Sequence, residues 1–349
     1  SSAASDVYKR QPIFSALLFA LTLSALLNKT FLHFTKQFKK QNDKGEKRLS
    51  NKNISPFGGI ATSVAFFAST IFLGKADQEF ITIGICAVII SIIGILDDIF
   101  NLDWKTKITG QIVVILYPLI KLDIFINIET FLKVDLQNYL NLLLSLLWVL
   151  LIINSINFID NMDGLTVVVS GGICLQIALL ANYSNLYKVT DISLILLASL
   201  LGFFIYNYPP AKLYFGDSGT LFIGYVLGFI SIIFDWTPTL NSILVSPFSP
   251  ILFIFTVPIL DFLIVTSDRI NNHKSPTIGG TDYIYNKLLN LGYSEKKVLG
   301  IFLLLSFSSY GLLIGTIFFN GVMGYISDIC YLIFFIYNFI KYKKMEPLN

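Results

Sequence analysis

The chain has 349 residues, of which 54% are hydrophobic and only 13% charged, with a formal net charge of +3 and a mean hydropathy of +0.71. Soluble domains carry about 25% charged residues, so this apolar excess is more than one aqueous core can hide and needs lipid as its solvent. So weak a positive charge, spread over short loops, excludes nucleic acid as a partner.

Residues 1–11 share no character with the rest of the chain and are set aside as a non-native or disordered leader. Residues 12–341 are read as one polytopic domain and 342–349 as a tail. A helix of about 20 mostly apolar residues crosses a bilayer. Eleven runs qualify, at 12–34, 56–74, 80–97, 107–121, 138–156, 164–182, 190–207, 217–234, 246–266, 299–318 and 322–340. The first lacks a small-residue cleavage site and is succeeded by many others, so it reads as a membrane helix and not a signal peptide. The expected fold class is all-α integral membrane, a polytopic bundle of about 10–11 transmembrane helices. Cys86, Cys174 and Cys330 stand far apart in apolar runs, without metal-ligand or disulfide spacing, and read as small core residues.

Basic residues are retained on the cytoplasmic side of a membrane. Most of the 25 lysines and arginines lie in one alternate set of loops: 35–55, 98–107, 155–163, 208–216, 267–298 and the tail from 341. That asymmetry places the N-terminus outside and the C-terminus inside. The tail Lys341-Tyr342-Lys343-Lys344 reads as a positive anchor.

The unusual polar residues share that basic side. They fall in four clusters: Asp97-Asp98, the stretch from Asn154 to Gly164, Asn207 to Lys212, and Gly216-Asp217-Ser218-Gly219. Carboxylates gathered on one rim repel one another unless a cation neutralises them. Oxygen ligands with no His or Cys in reach favour a hard ion, Mg²⁺ or Mn²⁺. Asp160 and Asp163 are three apart and would share a face on a helical turn, forming a polar strip with Asn154 and Asn157. Such an ion goes together with phosphate, whose oxygens it bridges during transfer. Lys105, Lys107, Lys212 and Arg269 are candidate phosphate partners. Gly58-Gly59 and Gly279-Gly280 allow either a close approach of backbone to phosphate or plain packing. His33 and His273 fall on no motif.

These motifs resemble the bacterial polyprenyl-phosphate N-acetylhexosamine-1-phosphate transferases, glycosyltransferase family 4. The likeness runs in order from about Asp43 to Lys297. Ser55-Pro56-Phe57-Gly58-Gly59-Ile60 looks like the family's start of the second span. Gly94-Ile95-Leu96-Asp97-Asp98, with Lys105, Lys107 and Gln111 downstream, looks like its Asp-Asp motif. Asn154-x-x-Asn157-x-x-Asp160-x-x-Asp163-Gly164-Leu165 is similar to its Asn/Asp motif, the most specific single match. Asn207, Pro210-Ala211-Lys212 and Phe215-Gly216-Asp217-Ser218-Gly219 resemble its next cytoplasmic segment, and Pro258, Asp261 and Arg269 the span before its last large loop.

The resemblance implies that a polyprenyl phosphate attacks a UDP-sugar, with N-acetylglucosamine the default sugar, and releases UMP at the cytoplasmic face of the bacterial inner membrane. It implies Mg²⁺, with Mn²⁺ as substitute, held by Asp217 with Asp98. Asp97, Asp98, Asp160 and Asp163 would be catalytic. Asn154, Asn157, Lys107, Asn207, Lys212, Arg269, Asp282, Tyr283 and Asn286 would bind substrate. UDP-sugar, polyprenyl phosphate and the bilayer are the implied partners, and a homodimer is allowed.

Two departures stand out. Tyr283 and Asn286 occupy positions where the family's last loop carries histidines, and Ser50 stands where many members have His. Tyr and Asn can hydrogen-bond a phosphate or sugar but cannot carry a proton charge near neutral pH as His does. Two other readings compete: a catalytically altered relative acting as a membrane scaffold, motivated by those losses, and an ion-coupled transporter. A transporter wants its acids near the midplane in broken helices, whereas here only Asp261 lies deep.

Overall fold

The computed structural model describes residues 2–38, 57–126, 137–233, 249–275, 280, 282–319 and 322–345. Among these residues there are thirteen helices and no strand: α1 (Ser2–Phe38), α2 (Gly58–Phe72), α3 (Gln78–Phe100), α4 (Trp104–Leu122), α5 (Gln137–Ile159), α6 (Leu165–Tyr183), α7 (Tyr187–Asn207), α8 (Gly216–Ile233), α9 (Ser249–Ile254), α10 (Thr256–Asn271), α11 (Ile284–Asn290), α12 (Glu295–Phe318) and α13 (Val322–Lys343). Lipid offers no hydrogen bonds, so each apolar run satisfies its backbone internally by coiling into a helix.

All eleven apolar runs fall on helices, and seven of these are long and apolar enough to cross a membrane: α1 over Pro12–His33, α3, α5 over Asn138–Ile159, α6, α7, α8 and α12. The chain is a multi-pass membrane protein. The other four runs differ for visible reasons. Helix α2 has only 15 residues, and α4 carries Lys105, Lys107, Gln111 and Lys121. The run 246–266 breaks at Phe255, leaving α9 and a 16-residue α10. Helix α13 carries Asp328 and ends on Lys341 and Lys343. At the other terminus, α1 runs without a break through the residues set aside as a leader.

Helix α8 is the central post. In its most apolar 18-residue window 89% of residues are buried, against 39% in α3 and in α12. Those outer helices turn large apolar side chains outward, such as Ile85, Val88 and Ile92 on α3 and Leu304 on α12, as a lipid-facing surface requires. Helix α8 packs against α2, α3 and α5. Glycines set how closely. A Cβ on Gly94 of α3 would lie 2.5 Å from the Asp217 carbonyl group, and one on Gly224 would lie 2.6 Å from the Ile153 Cα of α5. Gly59 of α2 meets Gly219 of α8 backbone to backbone. Small residues permit such contact where no hydrophobic force separates helix from lipid. Gly58 and Gly59 are buried, and their N–H groups donate to the carbonyls of Tyr214 (3.0 Å) and Phe215 (3.2 Å). They form a packing seam and do not cradle a phosphate. Buried side chains add links between helices: Trp148 Nε1 to Ser231 Oγ at 2.9 Å, Ser24 Oγ to the Ser199 carbonyl at 2.7 Å, and Gln176 Nε2 to Ser306 Oγ at 2.8 Å.

At the end of the bundle away from the acid clusters, Lys188 bridges Asp77 (2.6 Å) and Glu79 (2.7 Å), and Lys75 pairs with Asp191 at 3.1 Å. An apolar cavity of about 50 Å³ lies beneath, lined by Phe66, Phe67, Phe80, Val226 and Phe229 among others. Cys86 and Cys174 are buried as expected, but Cys330 is exposed on the outer side of α13. The tail is more than an anchor: α13 continues through Lys343, and Tyr342 is only 2% exposed.

Candidate active site

Three helix ends converge on the start of α8. The last turn of α3 brings Asp97 and Asp98. The first turn of α4 brings Lys107, set by Asp103, which caps that helix by accepting the N–H groups of Lys105 (3.1 Å) and Thr106 (3.2 Å). The last turn of α5 brings Asn157, and Gly216, with φ of 66°, turns the chain into α8 so that Asp217 sits in its first turn.

The Lys107 ammonium donates to Asp97 Oδ2 at 2.8 Å and to Asp217 Oδ2, so one cation joins carboxylates from α3 and α8. The three side chains are 15%, 15% and 26% exposed, in the order Lys107, Asp97, Asp217, so they remain open to water or a ligand. Asn157 Nδ2 fixes the other Asp217 oxygen at 3.0 Å and also reaches Thr220 Oγ1 at 2.8 Å. Asp98 faces elsewhere. Its two oxygens accept the N–H groups of Asp217 (3.2 Å) and Ser218 (3.4 Å), satisfying donors that a helix start leaves unpaired and setting a negative charge at the positive end of the α8 dipole.

The polar strip expected from Asn154 to Asp163 is not one helical face. Helix α5 stops at Ile159, Asp160 and Asp163 lie in the turn after it, and Gly164, with φ of 76°, starts α6. Three short polar bonds hold that turn, and a fourth anchors one of their partners. Asp160 Oδ1 accepts from Thr166 Oγ1 at 2.7 Å, and Asp163 Oδ2 accepts the Ala211 N–H at 2.7 Å. Asn207 accepts the Gly164 N–H at 2.9 Å and donates to the Leu213 carbonyl at 2.8 Å. Asp163 and Asn207 thereby tie the α5–α6 turn to the α7–α8 connection. Asn154 donates to Gln111 Oε1 at 3.0 Å, joining α5 to α4. Lys212 is exposed, and Lys105 lies 5.7 Å over the Trp104 ring.

Beside this group, Arg269 of α10 makes a two-pronged bond to Asp282, at 2.7 and 2.9 Å. Its guanidinium also lies 5.5 Å from the Phe158 ring centre and 5.4 Å from that of Tyr283, and the two rings meet edge to face at 6.1 Å. Phe158 comes directly after Asn157, so Arg269 and Tyr283 pack against the helix that carries Asn157. Burial opposes the charge on Arg269, but its bond to Asp282 outweighs that and raises its pKa. Burial also pushes the Tyr283 phenol up, against the pull of Arg269. Asn286 is fully buried, and neither its Nδ2 nor its Oδ1 has a partner among the described residues.

No group of three or more His, Cys, Asp or Glu poised to hold a metal occurs among the described residues. Asp98, expected beside Asp217 at the metal, has both oxygens on the α8 amides, and Asp97 instead shares a cation with Asp217. The pair Asp97 and Asp217 suits Mg²⁺, which takes one or two protein carboxylates and completes its shell with water and substrate phosphate. Both acids already converge on one cationic group, and neither has a soft ligand beside it. Of the residues singled out from the sequence, Asp97, Lys107, Asn157 and Asp217 meet directly, with Asp98 behind them. Asp160, Asp163, Asn207 and Asn154 shape the surrounding turns, and Arg269, Asp282 and Tyr283 form a neighbouring cluster. Thr220 and Phe158 were missed. Thr220 is three residues after Asp217, a spacing that could have flagged it, whereas Phe158 looks like an ordinary core residue.

Residues 80–235 match the family described as glycosyl transferase family 4. Over 266 residues the chain is 31% identical to the probable undecaprenyl-phosphate N-acetylglucosaminyl 1-phosphate transferase of Bacillus subtilis (strain 168), covering 74% of this chain and 72% of that protein. The chain belongs to glycosyl transferase family 4. Two further relatives carry different names. The decaprenyl-phosphate N-acetylglucosaminephosphotransferase of Mycobacterium leprae (strain TN) is 30% identical over 256 residues, 68% of this chain and 64% of the relative. The phospho-N-acetylmuramoyl-pentapeptide-transferase of Streptococcus uberis is 32% identical over 253 residues, 63% of this chain and 73% of the relative. The family match spans α3 to the end of α8 and so includes Asp97, Lys107, Asn157 and Asp217. It stops before Arg269, Asp282, Tyr283 and Asn286.

Proposed function

We propose that this glycosyl transferase family 4 chain moves a sugar-1-phosphate, by default N-acetylglucosamine-1-phosphate, from a UDP-sugar to a polyprenyl phosphate and releases UMP. The observation that carries this reading is the meeting of Asp97, Lys107 and Asp217 at one end of a membrane bundle, in a chain related to proteins named for phosphosugar transfer to polyprenyl phosphates. The donor side faces the cytoplasm of a bacterial inner membrane in this reading, because the basic loops share the end that carries the acids.

An oxygen of the acceptor phosphate attacks the sugar-bearing phosphorus, the bond from that phosphorus to the bridging oxygen breaks, and UMP leaves with the electron pair. Such transfers need positioning and charge balance more than covalent help. Asp97 and Asp217 would hold Mg²⁺, which would supply positive charge to offset that of the phosphates. Asn157 orients Asp217 toward that position, and Asp98 keeps the start of α8 in place. Lys107 neutralises the acid pair and is free to turn from carboxylate to phosphate when substrate arrives. The apolar helices around the site hold the acceptor's prenyl chain in the bilayer and its phosphate at the rim.

The test is purified chain with Mg²⁺, undecaprenyl phosphate and a panel of UDP-sugars, read as UMP release. UMP from a UDP-N-acetylhexosamine, dependent on the lipid phosphate, is the expected result. No UMP with any donor in the panel overturns the reading.

A further inference from the structure

Helix α11 is short, with Ile284 to Leu288 buried and only Asn290 exposed; Tyr283 precedes it and meets Phe158, near the end of α5, edge to face. Apolar packing that includes α12 holds it on one side, and a set of bonds ties it to one face of α10. Asp261 Oδ1 accepts the Ile284 N–H at 2.9 Å. Two turns further on, Arg269 grips Asp282, and Asp268 pairs with Lys287 at 2.6 Å. Asp268 and Arg269 fall seven and eight residues after Asp261, the spacing that keeps all three on one side of a helix.

Lys287 is the unusual member. Its side chain is wholly buried, and the ammonium has a second partner, the backbone carbonyl of Tyr342 at 3.1 Å. Tyr342 lies in the last turn of α13, with its own side chain 2% exposed. A buried ammonium is tolerated only when its donors are used, so Lys287 demands both partners at once. The ion pair is therefore a three-way clasp of α10, α11 and the C-terminal turn of α13.

We infer that Lys287 is a positioning residue. It holds α11, and with it Tyr283 and the Arg269–Asp282 pair, in register with the end of α5, so that the last turn of the chain belongs to the donor side of the site. This rests on the transferase reading given above. Buried Asn286, whose amide has no partner among the described residues, suits α11 to the polar nucleotide-sugar, while in that reading the prenyl phosphate is bound among the membrane helices, so loss of the clasp acts on one substrate only.

The experiment uses the full chain in detergent with Lys287→Met, which keeps the length and removes the charge, and Asp268→Asn as the second variant. Steady-state rates are measured against UDP-N-acetylglucosamine and against undecaprenyl phosphate, and amide hydrogen exchange is monitored over residues 284–290 and 217–230. We expect Lys287→Met to raise the donor KM about tenfold with the acceptor KM within about twofold, and to speed exchange in α11 at least about tenfold while leaving α8 unchanged. Asp268→Asn should act in the same direction and add little in the double variant. Should Lys287→Met not fold, Asp268→Asn is judged by the same criteria. An unchanged donor KM, an equal rise in both KM values, or unchanged exchange in α11 overturns the proposal. Absence of UMP release by the unaltered chain overturns the transferase reading instead, and the exchange measurement still decides whether the clasp orders α11.

Discussion

Lys107 stands between two carboxylates that would otherwise repel each other across the junction of α3 and α8. Its ammonium occupies the place to which a divalent cation would be drawn, so lysine and metal should substitute for each other in holding the acids together. Lys107→Met is expected to lower stability by about 3 kcal/mol in a chelator, as loss of one partner of a largely buried pair does, and millimolar Mg²⁺ should restore much of it. Thermal melts in detergent, with EDTA or Mg²⁺, measure this. A variant equally stable in both would separate the metal from this acid pair. Asp217→Asn should cut UMP release at least about 100-fold with little change in folding, because it removes charge needed in the transition state. These acids were legible from the sequence, since carboxylates are rare in apolar runs and their loops fell on one side. The bond of Asp98 to the α8 amides was not, because a contact across 119 residues leaves no local trace.

At the scale of elements, glycine decides where the helices may touch. Gly94 of α3 lies against the backbone of Asp217 and Ser218, and Ser91, one turn earlier, donates to the Ser218 carbonyl at 3.0 Å. A methyl group at Gly94 must push α3 away from α8. Gly94→Ala is therefore expected to cost about 1–3 kcal/mol by overpacking, and to lower activity because it parts Asp97 from Asp217. Gly300 in α12 has nothing within 4 Å of its added Cβ, so Gly300→Ala should be neutral or stabilise by up to about 1 kcal/mol. The contrast is read by melting temperature and UMP release, and equal effects at both positions would refute it. Helix positions were readable from apolar runs. The end of α5 at Ile159 was not, because Asn154, Asn157, Asp160 and Asp163 keep a helical spacing beyond the point where Gly164 and the side-chain bonds of Asp160 and Asp163 turn the chain.

Across the whole molecule, the sequence pattern assigns a sidedness that labelling can test. With Cys330 replaced by Ser, Lys212→Cys should react with a membrane-impermeant maleimide only in inverted vesicles, and Lys188→Cys only in right-side-out ones. The reverse pattern would invert the topology and place the acids outside the cell. The metal requirement is tested at the same scale: EDTA should stop UMP release, with Mg²⁺ or Mn²⁺ restoring it and Ca²⁺ doing so poorly, since Ca²⁺ prefers more ligands at longer distances. Composition alone was enough to place the chain in lipid. What it could not convey was that α8 is enclosed on nearly every side while neighbours such as α3 are half open, because all the apolar runs look equally greasy.

The backbone contact between Gly59 and Gly219 has a further consequence, one for how such a chain changes over generations. The start of α8 is wedged among α2, α3 and α5 with no space for a larger side chain, so variation there is selected against whichever sugar is handled. Helix α11 lies outside that wedge, packed against α10 and α12 and bonded to the last turn of α13. In the proposed reading, donor choice and phosphate chemistry would then rest on separate elements, so that a change in α11 could alter the one without moving the other.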